Sequence, residues 1–245
     1  GVRVYPAWIS NSTRVVTTVV DRNWRQIAYF EPGPIISTQE MEHILHAFEM
    51  VVKEEDIVVL CGSVSDQSAS SIYYQMIQIA KKYGKKTIID SRGLPLREAL
   101  KAAPWIVKMN REEAEETWGR KIEKGEDFYN FFEYLKKKGV TYLILTLGEK
   151  GAWFVGEKES WFGYPPVIPT VNPVGSGDSL LAAFLFGFLQ GKEWNECLRL
   201  GVAAGAANAS IWDAASVSWS DIQALIPDVR VEKQGSVLRK ELLDC

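Results

Sequence analysis

The sequence is poor in the residues that build disulfide-bonded or zinc-binding domains, with three cysteines and two histidines among 245 residues. The cysteines, Cys61, Cys197 and Cys245, are odd in number and far apart. This spacing suits neither a disulfide framework nor a zinc site. We expect them to be reduced thiols of a cytoplasmic protein.

Long apolar runs and an excess of charge of one sign are also missing. No apolar run reaches the roughly 18 residues that span a bilayer, and no basic-then-apolar leader precedes a small-residue cleavage site. We therefore predict neither a membrane helix nor secretion. Lys and Arg number 28 against 31 Asp and Glu, for a formal charge of -3. This balance argues against nucleic acid binding, which favours a basic surface.

The residues that are present indicate an α/β protein with one main domain. Hydrophobic residues make up 47% of the chain and charged residues 24%, as in ordinary globular proteins. Short apolar runs such as Ile57–Cys61 alternate with amphipathic segments such as Ile72–Lys82. This alternation predicts βαβ units around a mostly parallel sheet.

The first part of the chain has a different pattern. Arg14–Val20 and Trp24–Phe30 are rich in β-branched and aromatic residues and flank a polar turn, so we predict a hairpin. Ser37 is followed three residues later by Glu40, which predicts a capped helix through about Val52.

A glycine-rich loop has the features of an anion site. Residues 172–179 read N-P-V-G-S-G-D-S and lead into an apolar helix predicted over Ser179–Gln190. Glycines bring backbone amides close to a ligand, and a helix start offers unpaired N–H groups and a positive dipole end. The amides of Gly175, Ser176 and Gly177 could stabilise a transferred phosphoryl group while Asp178 takes a proton from a hydroxyl. The alternative is a simple turn with Asp178 as N-cap.

The longer segment N-P-V-G-S-G-D-S-L-L-A-A-F-L resembles the C-terminal signature of the ribokinase-like (PfkB) carbohydrate kinases. Residues 108–113, K-M-N-R-E-E, look like the family's K-P-N-x-x-E segment, with Met109 in place of proline. Residues 146–152, T-L-G-E-K-G-A, resemble its nucleotide loop. Three more segments resemble those of the family branch that contains 1-phosphofructokinase and tagatose-6-phosphate kinase. They are Ser12-Thr13-Arg14, residues 31–34 and Gly62-Ser63.

The resemblance implies a three-layer α/β/α fold with a mostly parallel sheet and an incomplete β lid. Residues 1–36 would be a remnant of the lid and hairpin strands, and residues 37–245 the nucleotide-binding α/β domain. It also implies an ATP-dependent kinase that uses Mg²⁺ and acts on fructose 1-phosphate or tagatose 6-phosphate. The implied partners are this phosphosugar and a second subunit in a homodimer, with no nucleic acid and no membrane.

Four residues of the glycine-rich loop have catalytic roles by the same resemblance. Asp178 would be the base that activates the sugar hydroxyl. Gly175, Ser176 and Gly177 would belong to the anion hole.

Seven residues would serve the nucleotide: Lys108, Asn110, Glu113, Thr146, Gly148, Gly151 and Asn208. Asn110 and Glu113 would act on magnesium indirectly, through water or phosphate oxygens, as Mg²⁺ sites commonly allow. The residues considered without the resemblance have simpler interpretations. A helix cap is then expected at Asn110 and Glu113, and a glycine turn at Gly148 and Gly151. Asn208 would lie in a closely packed helix of small residues.

Arg14 would bind the phosphate of the acceptor, since a planar guanidinium suits bidentate phosphate recognition, and Ser63 would lie on the substrate side. A solvated strand-edge arginine is the alternative for Arg14. The loop C-G-S-V-S-D-Q departs from the family's G-S-L-P-P-G, and no Gly-Gly-Lys-Gly-x-Asn segment occurs.

From these departures we expect weak or no kinase activity from this chain alone. The rival functions are a kinase for an unphosphorylated sugar or nucleoside, and a non-catalytic nucleotide-binding module.

Overall fold

The computed structural model describes residues 2–20, 26–64 and 66–234. The chain divides into two compact units, residues 1–107 with 138–140, and residues 108–137 with 141–245. The predicted boundary between residues 36 and 37 separates the lid remnant from the nucleotide-binding domain, and it stays a prediction. Cys245 and the turn of the predicted hairpin lie outside the described residues.

The first unit contains the hairpin and the first βαβ repeat. Its elements are β1 (Val16–Val20), β2 (Gln26–Phe30), α1 (Thr38–Val52), β3 (Ile57–Cys61), α2 (Ile72–Lys82), β4 (Lys86–Asp90), α3 (Gly93–Leu100) and the start of β5 (Ile106–Asn110).

The second unit contains the rest of β5 and the C-terminal helices. Its further elements are α4 (Arg111–Trp118), α5 (Gly125–Lys137), β6 (Tyr142–Thr146), β7 (Ala152–Val155), β8 (Ser160–Tyr164), α6 (Ser176–Leu189), α7 (Trp194–Ala209), α8 (Trp219–Leu225) and β9 (Arg230–Lys233).

The strands form the predicted hairpin and one larger sheet. β1 pairs antiparallel with β2. Seven strands form the main sheet in the order β3-β4-β5-β6-β7-β8-β9, and β3 pairs parallel with β4. The antiparallel pairs lie at the end made by β6 to β9. The expected α/β class with a mostly parallel sheet is confirmed, whereas the short polar strand β9 was not predicted.

Local signals explain several element boundaries. Ser37 and Glu40 form the predicted capping box at the start of α1. Gly84, in the left-handed region with a φ of 68°, follows α2. Among the described residues, no helix is long and apolar enough to cross a bilayer. Cys197 is a buried thiol, and burial raises its pKa to about 11.

Close contact between α6 and α7 shapes the second unit. A Cβ built on Gly201 would lie 2.9 Å from the Leu180 carbonyl oxygen, and one on Gly205 would lie 3.2 Å from the Ser176 carbonyl oxygen. Small residues therefore let the two helix backbones approach each other. The close packing predicted for the small-residue helix brings the end of α7 to the start of α6.

Candidate active site

The glycine-rich loop ends in a sharp turn that starts α6. Gly175 is the N-cap with a φ of 81°, a left-handed conformation that glycine adopts without steric cost. The Ser176 amide donates to the Pro173 carbonyl oxygen at 3.1 Å. The helix begins at Ser176, three residues before the predicted start at Ser179. The alternative with Asp178 as N-cap is wrong, because Asp178 is the third helical residue.

The beginning of α6 is an electropositive cradle. Gly177 and Asp178 lie in the first turn, where helix geometry leaves amides without an intrahelical acceptor. A Cβ built on Gly177 would lie 2.6 Å from Lys108 Nζ, so a larger residue there would displace this ammonium. Lys108 is 7% exposed. The amides, the helix dipole and the ammonium together favour a bound anion.

Asp178 lies at the edge of this cradle. Its carboxylate is exposed and makes no hydrogen bond to the described residues. A carboxylate in the first turn of a helix interacts favourably with the positive end of the helix dipole, and Asp178 occupies such a position. Its side chain is therefore open to a substrate hydroxyl.

The side chain of Asn208 forms hydrogen bonds that hold the cradle in place. Its side chain is fully buried and donates through Nδ2 to the Val174 carbonyl oxygen at 2.8 Å and to Ser176 Oγ at 3.0 Å. Its Oδ1 accepts from the Ala215 amide at 2.7 Å and from Ser179 Oγ at 3.4 Å. Every polar group of the amide is thus used within the protein. This geometry makes Asn208 a support of the loop, while its predicted contact with the nucleotide stays a prediction.

Asn110 and Glu113 form the helix cap that the residues alone predict. Asn110 Oδ1 accepts from the Glu113 amide and Glu113 Oε2 accepts from the Asn110 amide, both at 2.9 Å. This capping box spends one side-chain oxygen of each residue. Glu113 keeps its second oxygen, which suits contact with metal-bound water.

The described residues hold no group of three or more His, Cys, Asp or Glu that could bind a metal ion directly. The donors at Asn110 and Glu113 therefore fit a magnesium ion that is held mainly by phosphate oxygens and water, and they do not fit an all-protein metal site.

The proposed nucleotide loop contains glycines with different surroundings. Thr146 Oγ1 donates to the Met109 carbonyl oxygen at 3.5 Å. Gly148 has a φ of 60° and open space around its Cα, which leaves room for a ligand. A Cβ on Gly151 would lie 2.1 Å from the Gly163 carbonyl oxygen. Packing of β7 against β8 therefore already explains a glycine at residue 151.

Arg14 and Ser63, which are predicted to bind the acceptor sugar, contact each other in the first unit. Arg14 Nη2 donates to Ser63 Oγ at 2.5 Å. The backbone beside Ser63 is held by Tyr73, whose hydroxyl donates to the Cys61 and Gly62 carbonyl oxygens at 2.8 and 3.1 Å. Burial raises the pKa of Tyr73 to about 12, which keeps this hydroxyl a donor.

Sequence reasoning missed three supporting residues, Tyr73, Ser91 and Arg92. Ser91 Oγ donates to the Gly62 carbonyl oxygen at 2.7 Å. Ser91 and Arg92 directly follow β4, at the carboxyl end of a parallel strand where ligands commonly bind in α/β sheets. Their place in the chain was the available signal.

The fold and the cradle are typical of α/β proteins in which a helix start can hold an anion. The sequence matches the model of the pfkB family of carbohydrate kinases over residues 2–218. The chain therefore belongs to the pfkB family of carbohydrate kinases.

Individual relatives agree with the family assignment. The chain is 29% identical over 201 residues to 1-phosphofructokinase from Bacillus subtilis, a match that covers 82% of this chain and 65% of that protein. It thus spans less than two thirds of this relative's length. The tetrameric inhibited form of phosphofructokinase-2 from Escherichia coli aligns with a TM-score of 0.73 and 26% identity, covering 84% of this chain and 66% of that one.

The fold is shared with a possible 1-phosphofructokinase from Thermotoga maritima. That structure aligns with a TM-score of 0.82 at 19% identity and covers 94% of this chain and 73% of the other. The predicted ribokinase-like fold is confirmed by this likeness.

Proposed function

We propose that this protein transfers the γ-phosphoryl group of ATP to a hydroxyl of a ketohexose phosphate, either fructose 1-phosphate or tagatose 6-phosphate. The observation that carries the proposal is the cradle at the start of α6, where a nearly buried Lys108 ammonium lies beside Gly177. Membership of a carbohydrate kinase family names the chemistry that such a cradle would serve.

The cradle acts by electrostatics and positioning. Phosphoryl transfer places negative charge on the oxygens of the moving group, and preorganised donors stabilise that charge most in the transition state. The Gly177 amide and the Lys108 ammonium supply these donors from rigid elements, α6 and β5. Asp178, with its exposed carboxylate, accepts the proton of the acceptor hydroxyl as the hydroxyl oxygen bonds to the γ-phosphorus. The bond from this phosphorus to the β–γ bridging oxygen breaks in the same step, and ADP leaves.

Asn110 and Glu113 would hold magnesium through water and phosphate oxygens. When bound, the metal ion would neutralise charge on the phosphates. The capping box orients both side chains, because each side chain accepts a hydrogen bond from the backbone amide of the other residue. The residues of this chain therefore present an organised edge to the metal-bound phosphates.

The preference for a phosphorylated acceptor rests on Arg14 and Ser63. Their contact at 2.5 Å places a guanidinium and a hydroxyl at one point, and both are good ligands of a phosphomonoester. This contact supports a phosphosugar over a free sugar or a nucleoside, and it does not distinguish fructose 1-phosphate from tagatose 6-phosphate.

Two properties of the whole protein are also proposed. A homodimer is supported by the oligomeric relative, the tetrameric form of Escherichia coli phosphofructokinase-2. A cytoplasmic location, predicted from the scattered free cysteines, stays a prediction.

The test is isothermal titration with Mg-ATP, with and without each phosphosugar, together with a phosphoryl-transfer assay that uses labelled γ-phosphate. Asp178→Asn is expected to keep nucleotide binding and to lower turnover by about 10²–10⁴-fold, the usual worth of a general base. Asp213→Asn removes the same charge at another exposed position and serves as the control. We expect weak or no turnover from this chain alone, so the label is needed for sensitivity.

The other outcomes separate the rivals. Transfer to fructose, with no preference for the phosphosugars, would favour an unphosphorylated acceptor. Nucleotide binding without any transfer by a full-length version would favour a non-catalytic module. Failure to bind Mg-ATP would refute the kinase proposal for this chain.

A further inference from the structure

The loops after β3 and β4 lie against each other in the first unit. The strands are parallel, and Cys61 is in register with Asp90. The Gly62 amide donates to the Asp90 carbonyl oxygen at 3.0 Å, and Ser91 Oγ donates back to the Gly62 carbonyl oxygen at 2.7 Å. Because parallel strands end at the same edge of a sheet, the residues that follow them share one surface.

That surface carries two arginines on one aromatic ring. The guanidinium carbon of Arg14 lies 5.5 Å from the centroid of the Phe30 ring, and that of Arg92 lies 5.6 Å from the same centroid. Cation–π contact holds a guanidinium on a ring while its N–H groups stay available to other ligands. Two arginines that are far apart in the sequence therefore contact the same ring, that of Phe30 at the end of β2.

Both arginines of the pair carry a positive charge. Across residues 2–20, 26–64 and 66–234, no carboxylate forms an ion pair with Arg14 or Arg92. Two guanidinium groups that share a neighbour repel each other, and an anion relieves this repulsion. A phosphomonoester carries a charge of about -1.5 to -2 at neutral pH and can accept bidentate hydrogen bonds from arginine.

We propose that Arg92 is a second phosphate-binding residue, and that Arg14, Arg92 and Ser63 form one site for the phosphate of the acceptor. This inference rests on the proposed function, since it takes the ligand to be a phosphosugar. The site selects against unphosphorylated sugars, because a neutral hydroxyl leaves two neighbouring guanidinium groups without a counter-charge.

The experiment measures binding of fructose 1-phosphate, tagatose 6-phosphate, fructose and inorganic phosphate to the chain by isothermal titration. Arg92→Gln is expected to weaken binding of the phosphosugars by about 10–100-fold, as for loss of hydrogen bonds to a charged group. Arg92→Lys is expected to restore only part of this loss, because an ammonium lacks the bidentate geometry. Affinity for Mg-ATP and for fructose is expected to stay unchanged.

Arg97→Gln is the matched control, since it removes the same charge at an exposed position of α3, the helix that has Arg92 as its N-cap. An equal loss in Arg97→Gln and Arg92→Gln would reduce the effect to net charge and overturn the site. Unchanged phosphosugar binding in a folded Arg92→Gln protein would overturn it as well, and so would a wild type that binds no phosphomonoester.

Binding and transfer separate the two proposals. If phosphosugars bind through Arg92 but Mg-ATP does not bind, the kinase proposal fails and the phosphate site stands. If transfer occurs with an unchanged KM for the phosphosugar in Arg92→Gln, the kinase proposal stands and the site fails.

Discussion

Removing the side-chain amide of Asn208 would release the loop that forms the cradle. Asn208→Ala abolishes short hydrogen bonds with Val174, Ser176 and Ala215, at 2.8, 3.0 and 2.7 Å. Each such bond contributes about 0.5–1.5 kcal/mol net. We therefore expect a loss of about 2–4 kcal/mol in the free energy of unfolding.

Urea unfolding and calorimetry measure this loss. For a chain of this length, the expected loss lowers the melting temperature by roughly 5–15 °C. Asn195→Ala is the control on the same helix, because the half-buried Asn195 makes no hydrogen bond to the described residues. We expect it to cost less than about 1 kcal/mol.

Amide hydrogen exchange localises the effect. In Asn208→Asp, which keeps the size and the acceptor oxygen but loses the donors, exchange is expected to accelerate at the Ser176 and Ser179 amides. A loss of stability below about 0.5 kcal/mol in Asn208→Ala, with unchanged exchange in Asn208→Asp, would refute the assigned role of Asn208 in supporting the loop.

Three further predictions concern other positions. Gly151→Ala is expected to cost roughly 3–5 kcal/mol in urea unfolding, because its φ is 120° and its Cβ would meet the Gly163 carbonyl oxygen at 2.1 Å. Gly177→Ala is expected to change stability by less than about 1 kcal/mol but to weaken Mg-ATP binding about tenfold in titration, since the new methyl displaces Lys108 Nζ. Hydrogen bonds lower the pKa of Glu40 to about 2, so its contribution to stability is present above pH 4.5 and is lost as pH falls towards 2. Glu40→Gln is expected to flatten this part of the pH profile of stability, measured by urea unfolding.

Each of these predictions has its own control. Gly148→Ala tests a positive φ without a clash, so an equal cost at residues 148 and 151 would contradict the role of strand packing. Full nucleotide affinity in Gly177→Ala would contradict the placement of the ammonium in the anion site. Glu42→Gln is the control for Glu40, and an unchanged acid profile in Glu40→Gln would contradict its hydrogen bonds to Ser10 and Ser37.

Elements with strong local signals were predictable. The bounds of β3 and α2 agree with those predicted, because an apolar run, helical periodicity and flanking glycines mark them. The capping boxes at Ser37 and Asn110 were readable for the same reason, since both partners lie three residues apart.

Elements that depend on distant contacts were not predictable. The start of α6 was placed late, since the segment around Gly175 favours a turn when considered locally. In the structure Asn208 and Gly205, about thirty residues later in the chain, hold Ser176 in place. β9 is polar and becomes a strand by pairing with β8.

The family, the α/β class and the candidate catalytic residues could be inferred from the chain alone, because the signature around Asp178 is continuous. Three contacts became visible in the folded protein: Lys108 lies beside Gly177, Asn208 supports the loop, and Arg92 contacts the same Phe30 ring as Arg14. The physical reason is that these contacts join residues distant in sequence, and their geometry arises only when packed strands and helices bring them together.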